Sequence, residues 1–477
     1  MTADELRLLV REATAVPTET QAAYRVLWRA HPTDPNAACL TVGFPRSHPD
    51  DHHGAFGGRL VWWPNGITEL RRVAIVSSRI GSRLDHHRWW FDLLRTAIMR
   101  INVKEECVVA VDGTAPDVAT IRAAEIFGVP RLKITVTDRE VSVDQLVQWL
   151  TKRIEDGQMK QKTDNFLDWQ AHISPRLHHT NMSTQTDQMR RLPLQDRSTI
   201  AASERSYVLA CRSGGFIHQL LRDSLNSKSD PFSIFYLANG PGIADDVSLE
   251  LTTLGAIPWL LAGISARDSF AAGPTTTVPS VAVIANGPLE QPQGWLCHWT
   301  RPCTGPWPGQ PATEFLDELL LGCKSADRSA LATLLQIIAQ GVVLASLVRE
   351  GHRAVSFTEV PLSDFRRRRI YRRHRRRYDF EPWGIAVRRC SLADLGGGRV
   401  QYGFRTQQSS KSDSVWFQPA MDQSGQIDWR QEQEWRLTQD LRLQELPETA
   451  ICLFVDSSLE ADMIGAQSEW PVVVVPD

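Results

Sequence analysis

Neither sign of charge dominates this 477-residue chain: 53 lysines and arginines face 55 aspartates and glutamates, a net charge of −2. That balance excludes a globally basic nucleic-acid or membrane-surface protein, so any charge that matters is local. No CxxC pair occurs among the eight cysteines, at 39, 107, 211, 297, 303, 323, 390 and 452. They are scattered, several inside apolar runs, and read as buried, reduced thiols with no metal set. No apolar run is long enough to cross a bilayer. The opening MTADELRLLVREAT is acidic and lacks the basic start and long apolar centre of a signal peptide, so the expectation is a cytoplasmic protein away from membranes. GxGxxG is missing too, which argues against a dinucleotide site of that type.

The length implies roughly two to three domains, and 42% hydrophobic and 23% charged residues are ordinary for globular protein. Residues 1–70 form an N-terminal extension, a helix followed by Pro-, Gly-, Asp- and His-rich loops. There His48, His52 and His53 beside Asp50 and Asp51 match no closed zinc spacing and read as a solvated loop.

Residues 71–155 read as a Rossmann-like α/β unit: strand Val73–Ser78, helix Trp89–Met99, strand Cys107–Gly113, helix Asp117–Phe127, strand Arg131–Val136 and helix Val143–Ile154. Strands apolar on both faces and alternating with helices imply a parallel sheet covered on both sides. The functional points of such a sheet are the loops at strand C-termini, here Ser77, Ser78, Arg79 and Gly81, then Gly113, Thr114 and Ala115. Small residues there let backbone amides approach a phosphate, and Arg79 supplies a counter-charge; the alternative is tight turns with no ligand. Residues 156–205 are polar and aperiodic and read as a linker or insertion in which His178 and His179 are exposed. Residues 206–290 read as a second α/β unit: strand Ser206–Gly215, helix Phe216–Leu225, and strands Phe232–Ala238 and Val278–Asn286. Its Arg212, Ser213, Gly214 and Gly215 repeat the arginine-plus-small-residue design, a hint of internal duplication. One continuous sheet or two lobes would both fit. Leu254–Gly263 reads as core.

VAIVSSRIGS followed by VDGTAPDVATIRAAEIFGV resembles the Rossmann-type domain shared by DNA-processing protein A and lysine-decarboxylase-like (LOG) proteins. The likeness covers about residues 72–137 and rests on Ser78, Arg79, Gly113, Thr114, Ala123, Ala124 and Gly128. The PGGxGT loop of the LOG enzymes is absent, which sets aside their phosphoribohydrolase activity. The resemblance implies a nucleotide-type ligand, sensed rather than cleaved, with Ser78, Arg79, Gly113, Thr114, Arg212, Gly214 and Gly215 as the candidate binding residues.

Residues 294–477 read as an α+β module with a helix at Ser329–Gln340 and strands within Val355–Leu362, Phe380–Val387 and Ala450–Val455. Ile427–Leu437, IDWRQEQEWRL, read at helical spacing, divides its tryptophans between two faces. Nine arginines crowd one stretch: Arg366, Arg367, Arg368, Arg369, Arg372, Arg373, Arg375, Arg376 and Arg377. As a solvated helix these would repel one another, so they need either the chain's own carboxylates or phosphates. Interleaved Tyr371, His374 and Tyr378 are of the type that stacks on nucleic-acid bases.

Phe357, Thr358, Glu359, Pro361, Gly384, Ile385, Tyr402, Glu432, Glu434, Trp435 and Arg436 carry a resemblance, over about residues 295–475, to the AbiGi family of abortive phage-resistance proteins and related domains with E-x-E-W-R. It implies a bacterial defence role in an abortive-infection or toxin–antitoxin setting. Separately, His298-x-Thr300, then Tyr402, then Glu434 follow the order used by ADP-ribosyltransferases, where the histidine holds the ribose of NAD and the glutamate steadies the transition state. That makes His298, Tyr402 and Glu434 candidate catalytic residues, with NAD or nucleic acid as the substrate. On the plainer alternative His298 is a satisfied strand-end histidine, Glu434 pairs with Arg436 or the arginine run, and the chain is a structural partner of another protein.

Overall fold

The computed structural model describes residues 3–15, 25–29, 38–42, 59–64, 70–160, 168–177, 192–226, 233–259, 294–349, 351–364, 367, 369–372, 377–403, 415–421 and 428–475. The histidine loop at 48–53, His178 and His179, the strand expected at 278–286, residues 260–263 and Arg366, Arg368, Arg373, His374, Arg375 and Arg376 lie outside the described residues. The chain divides into two units, residues 1–269 with 310–326, and residues 270–309 with 327–477. Among the described residues no helix is long and apolar enough to cross a membrane.

The first unit is built on one ten-stranded sheet. Its strands are β1 (Arg25–Arg29), β2 (Ala38–Val42), β3 (Leu60–Pro64), β4 (Arg71–Ser77), β5 (Glu106–Val111), β6 (Arg131–Val136), β7 (Asp168–Ile173), β8 (Arg205–Ala210), β9 (Ile234–Ala238) and β10 (Ile257–Trp259). They lie in the order β1-β2-β3-β7-β6-β5-β4-β8-β9-β10. From β7 to β10 every pairing is parallel, and β1–β3 form an antiparallel edge. The chain builds outward from β4 through β5 and β6 to β7, then returns to β4's other side and runs through β8 and β9 to β10. Strand order therefore reverses between β4 and β8, where an open α/β sheet leaves a crevice at its carboxyl end.

Alternate residues of β4 and β8 face opposite layers. Val73, Ile75, Tyr207 and Leu209 bury against α2 (Arg88–Met99) and α3 (Asp117–Phe127), through Trp90, Phe91, Leu94 and Ala123. Ala74, Val76 and Val208 bury on the other side against Ile200, Ile217, Leu221 and Val247 of α5 (Leu194–Ala201), α6 (Phe216–Asn226) and α7 (Asp245–Thr253). α1 (Ala3–Ala15) and α4 (Val143–Lys160) cover the antiparallel edge, with Leu6 and Val10 meeting Leu146 and Leu150 over Leu40 and Leu60. α8 (Ala312–Leu321) adds Phe315, Leu319 and Leu320 to the α2–α3 layer. Arg122 clamps it, both Nε and Nη2 donating to the Asp317 carboxylate at 2.6 Å.

Several expectations change here. Of the two arrangements open to the second α/β stretch, the structure has one continuous sheet and not two lobes, because β8 pairs directly with β4. The loops expected over 1–70 contain β1, β2 and β3, and the expected linker over 156–205 contains β7 and α5. Trp259 is buried as expected of core, whereas its neighbour Ile257 on the same strand is exposed.

The second unit holds an eight-stranded sheet of β11 (Trp295–Trp299), β12 (Ser346–Arg349), β13 (His352–Thr358), β14 (Gly384–Arg388), β15 (Gly398–Arg399), β16 (Glu434–Leu437), β17 (Ile451–Val455) and β18 (Val472–Val474). The order is β15-β16-β13-β11-β14-β17-β18, with β12 joining β13, and only β17 with β18 is parallel. One face packs Leu296, Val355, Phe357, Ile385 and Leu453 against α9 (Ala330–Gln340), α10 (Arg389–Asp394) and α11 (Ser458–Gly465). The other gathers Trp295, Cys297, Trp299, Ala386 and Phe454. The Ile427–Leu437 segment is not a helix. Asp428 caps a 3-10 turn over Trp429–Glu432, accepting from Arg430 N–H at 3.0 Å. Gln433 then adopts φ 45°, the sole positive φ outside glycine among the described residues, and that left-handed step turns the chain into β16.

At the amino end of the first sheet, Arg72 is 2% exposed. Its guanidinium pairs with Glu204, its Nε donates to Ala202 O at 2.8 Å, and its own N–H donates to Glu204 Oε2 at 2.5 Å. Glu204→Ala is expected to destabilise the first unit by about 3 kcal/mol, the low end for stranding a buried charge because Glu204 keeps some contact with water. The double variant Arg72→Met/Glu204→Leu should recover part of that loss in urea unfolding. A single variant as stable as the parent would show that the pair does not hold the strands.

Candidate functional site

The crevice between β4 and β8 is built by the loops that follow them. Ser78 N–H donates to Ala210 O at 2.8 Å, and the Ser78 hydroxyl accepts from Arg212 N–H at 3.0 Å. Arg212 Nη2 donates to Arg79 O at 3.3 Å. Both arginines are exposed at the mouth. Trp90 beneath braces the first loop by donating from Nε1 to Ser77 Oγ at 2.9 Å. After Arg212, Gly214 takes φ 67°, which a side chain would strain, and a Cβ on Gly215 would lie 3.1 Å from Arg212 O. Glycine is thus favoured at 214 by its backbone, and at 215 a side chain would fit only if Arg212 O gave way by a few tenths of an ångström, in the loop that leads into the amino end of α6. Ser78, Arg79, Arg212, Gly214 and Gly215, from the two arginine-plus-small-residue stretches, meet in one place.

Gly113 and Thr114 follow β5, one strand further along, and close on themselves. Gly113 N–H donates to Asp117 Oδ2 at 2.7 Å, and Thr114 gives its hydroxyl hydrogen to Val111 O at 2.8 Å. The Asp117 carboxylate puts negative charge where a phosphate was expected, so this turn is a poor phosphate cradle. Two residues outside the sequence expectation take part in the site. His218, 3% exposed, accepts Gly214 N–H on Nδ1 at 3.0 Å and donates from Nε2 to Glu250 at 3.1 Å. Glu250 is held in turn by Arg222 Nε at 2.8 Å. The second is Asp196 in the first turn of α5, electrostatically coupled to Arg79; burial raises its carboxyl above the ordinary range and Arg79 opposes that rise.

In the second unit Tyr402 and Glu434 do meet, Glu434 N–H donating to the Tyr402 hydroxyl at 2.9 Å. The Glu434 side chain turns to Arg436, which donates from Nε at 2.9 Å and from Nη2 at 2.8 Å. Arg436 is 3% exposed and also donates to Val415 O and Gln418. His298 lies elsewhere. Cross-strand pairing sets Glu434 beside Thr358 and Thr358 beside Cys297, while His298 shares the row and face of Phe357 and Trp435, its ring 5.7 Å from that of Phe357. Because successive strand residues point to opposite faces, His298 and Glu434 lie on opposite sides of the sheet. The expected convergence of His298, Tyr402 and Glu434 on one pocket does not occur. Arg369 donates to Glu381 at 2.9 Å and stacks over Tyr378 at 4.1 Å. Tyr371–Arg372 and Arg377–Tyr378 pair as antiparallel strands, so the arginine-rich stretch is not one continuous helix.

Two expected outcomes follow from these contacts. His218→Leu removes the acceptor of Gly214 N–H; hydrogen exchange at that amide should quicken about fivefold, as expected for a bond worth about 1 kcal/mol, and unchanged exchange would mean that His218 does not hold the loop. Burial also pushes the His298 imidazole down to about 4, and Nδ1 donation to Ser356 O at 2.9 Å works against that fall. Below about 6.5 the unfolded chain binds a proton that the folded histidine refuses, so stability present above that pH is lost as pH falls toward 4. His298→Phe should flatten this part of the second unit's stability profile, and an unchanged slope would place its cause elsewhere.

No family model matches the chain, and no curated protein does; the likeness of residues 295–475 to AbiGi proteins rests on its quoted residues alone. Among solved structures the chain is similar to the X-ray structure of DNA processing protein A (DprA) from Streptococcus pneumoniae, at 14% identity and a TM-score of 0.26, over 42% of this chain and 62% of that one. The match thus spans less than two thirds of that chain's length, and a likeness of this size transfers neither fold nor role.

Proposed function

We propose that the first unit binds a nucleotide, its phosphate held at the crevice between β4 and β8. The observation that carries this reading is the convergence of Arg79 and Arg212, linked by the 3.3 Å contact from Arg212 Nη2 to Arg79 O, beside the Gly214–Gly215 loop at the amino end of the 11-residue α6. A helix amino end favours an anion by about 0.3–1 kcal/mol. A charged hydrogen bond from an arginine contributes about 1.5–3 kcal/mol. The arginines therefore supply most of the affinity, and the loop and helix fix where the phosphate sits. Gly113 and Thr114 bound the site without holding the phosphate, since their donors are used within their own turn; Gly214 and Gly215 likewise spend their amides on His218 Nδ1 and Arg212 O, so their loop contributes shape and room rather than those donors. The wider setting we propose, bacterial defence, comes only from the likeness of the E-x-E-W-R segment to AbiGi proteins.

Nucleoside monophosphates and diphosphates should raise the melting temperature of the full chain, by the equivalent of about 2.7 kcal/mol when the ligand is at about 100 times its Kd. Arg79→Ala and Arg212→Ala should each weaken that stabilisation and leave the melting temperature of the ligand-free protein nearly unchanged, because both side chains are exposed. The absence of a shift with every nucleotide and with inorganic phosphate would leave the crevice as scaffold.

A further inference from the structure

We propose that Phe216 stacks on the base of the ligand, so that the site takes nucleotides in preference to sugar phosphates. This rests on the nucleotide site proposed above and names what holds the part of the molecule that the arginines leave free. Phe216 opens α6 directly after Gly214 and Gly215, and it is 55% exposed. Every other aromatic side chain described in the first unit is buried or partly buried. Isolated exposed leucines and valines are ordinary on a protein surface. A phenyl ring left bare beside two exposed arginines keeps a π-face open for a ligand.

The chain itself fixes where the ring stands. Gly215 N–H donates to Arg212 O at 3.0 Å and closes the turn, and a Cβ on Gly215 would lie 3.6 Å from Arg212 Cβ. The Arg212 side chain therefore leaves the backbone beside the residue that precedes Phe216, whose Cα is only about 3.8 Å further on. Helical side chains lean toward the amino end of their helix, here toward the loop. Gln219, three positions on and so on the same face of α6, reaches back in this way, its Nε2 donating to Gly214 O at 3.3 Å. Ile217, Leu220 and Leu221 take the other face into the core. Among the described residues the Arg212 guanidinium has no carboxylate partner and donates to Arg79 O. One molecule suits both features, with an anion for the arginines and a flat π-system for the ring. Phenylalanine has no donor or acceptor in its side chain, so it reads the area of a base and not the pattern on its edge. A sugar phosphate fills the cationic end and leaves the ring in water.

Titration calorimetry of the full chain with AMP, ribose 5-phosphate and inorganic phosphate tests this. The parent protein should bind AMP at least about fivefold more tightly than ribose 5-phosphate, the lower end for one base–aromatic stack. Phe216→Ala should bring AMP within about twofold of ribose 5-phosphate and leave ribose 5-phosphate binding as in the parent, whereas Phe216→Tyr should keep the preference. Equal binding of AMP and ribose 5-phosphate by the parent protein would overturn the role of Phe216 and leave the phosphate site standing; that comparison needs no variant. A preference for AMP retained in Phe216→Ala would do the same. Binding of none of the three would overturn both.

Discussion

The first unit depends on the register of β4 against β8, and the Arg72–Glu204 pair is what pins it. That pair lies at the amino ends of the two strands, where Glu204 N–H also donates to Arg72 O at 2.9 Å. From there the strands run side by side through Val73–Val76, then slip by one residue where Ala210 rather than Leu209 meets Ser77. A slip of that kind bends the longer strand. It sets the Cys211–Gly215 loop against Ser78 and Arg79 instead of letting it continue past them. The charged pair at one end of the sheet and the two arginines at the other are therefore parts of one alignment.

The second unit is governed by strand alternation. Arg436 is so deeply enclosed that its charge has to be answered inside the protein, and Glu434, two residues away on the same face, answers it in a bidentate clasp. A carboxylate bound in that way is already satisfied. His298, on the opposite face with its Nδ1 engaged by a backbone carbonyl, is satisfied separately. The E-x-E-W-R segment is thus accounted for by packing: Trp435 faces the apolar layer and donates to Glu359 at 3.3 Å, and Arg436 anchors neighbouring loops.

Legibility in the sequence followed burial. α3 and β6 have the boundaries that periodicity predicts, because their chemistry is local: a run of small and apolar residues closing on Gly128 in the left-handed conformation, then a strand. β7 was not legible, since only Ala171 and Ile173 of DWQAHI are buried and the strand takes its place from its neighbours rather than from its own hydrophobicity. β16 was misread because Trp435, taken with Trp429 of the preceding turn, fits a helix until Gln433 reverses the backbone, a step that no propensity marks. At the candidate site, arginine with small residues after an apolar strand identified Ser78, Arg79, Arg212, Gly214 and Gly215. Asp196 lay in a stretch without periodicity, and His218 looks like any helical histidine until α7 brings Glu250 to it.

α8 adds a consequence of another kind. Its leucines complete a layer begun by residues more than two hundred positions earlier, and it is encoded between two segments of the second unit. On the ribosome the first unit therefore emerges with the outer side of α2 and α3 bare. That face stays uncovered while residues 260–311, among them the first strand of the second unit, are made. The order of synthesis is not the order of closure, and a chain cut after residue 269 yields an unfinished first unit rather than a free-standing domain.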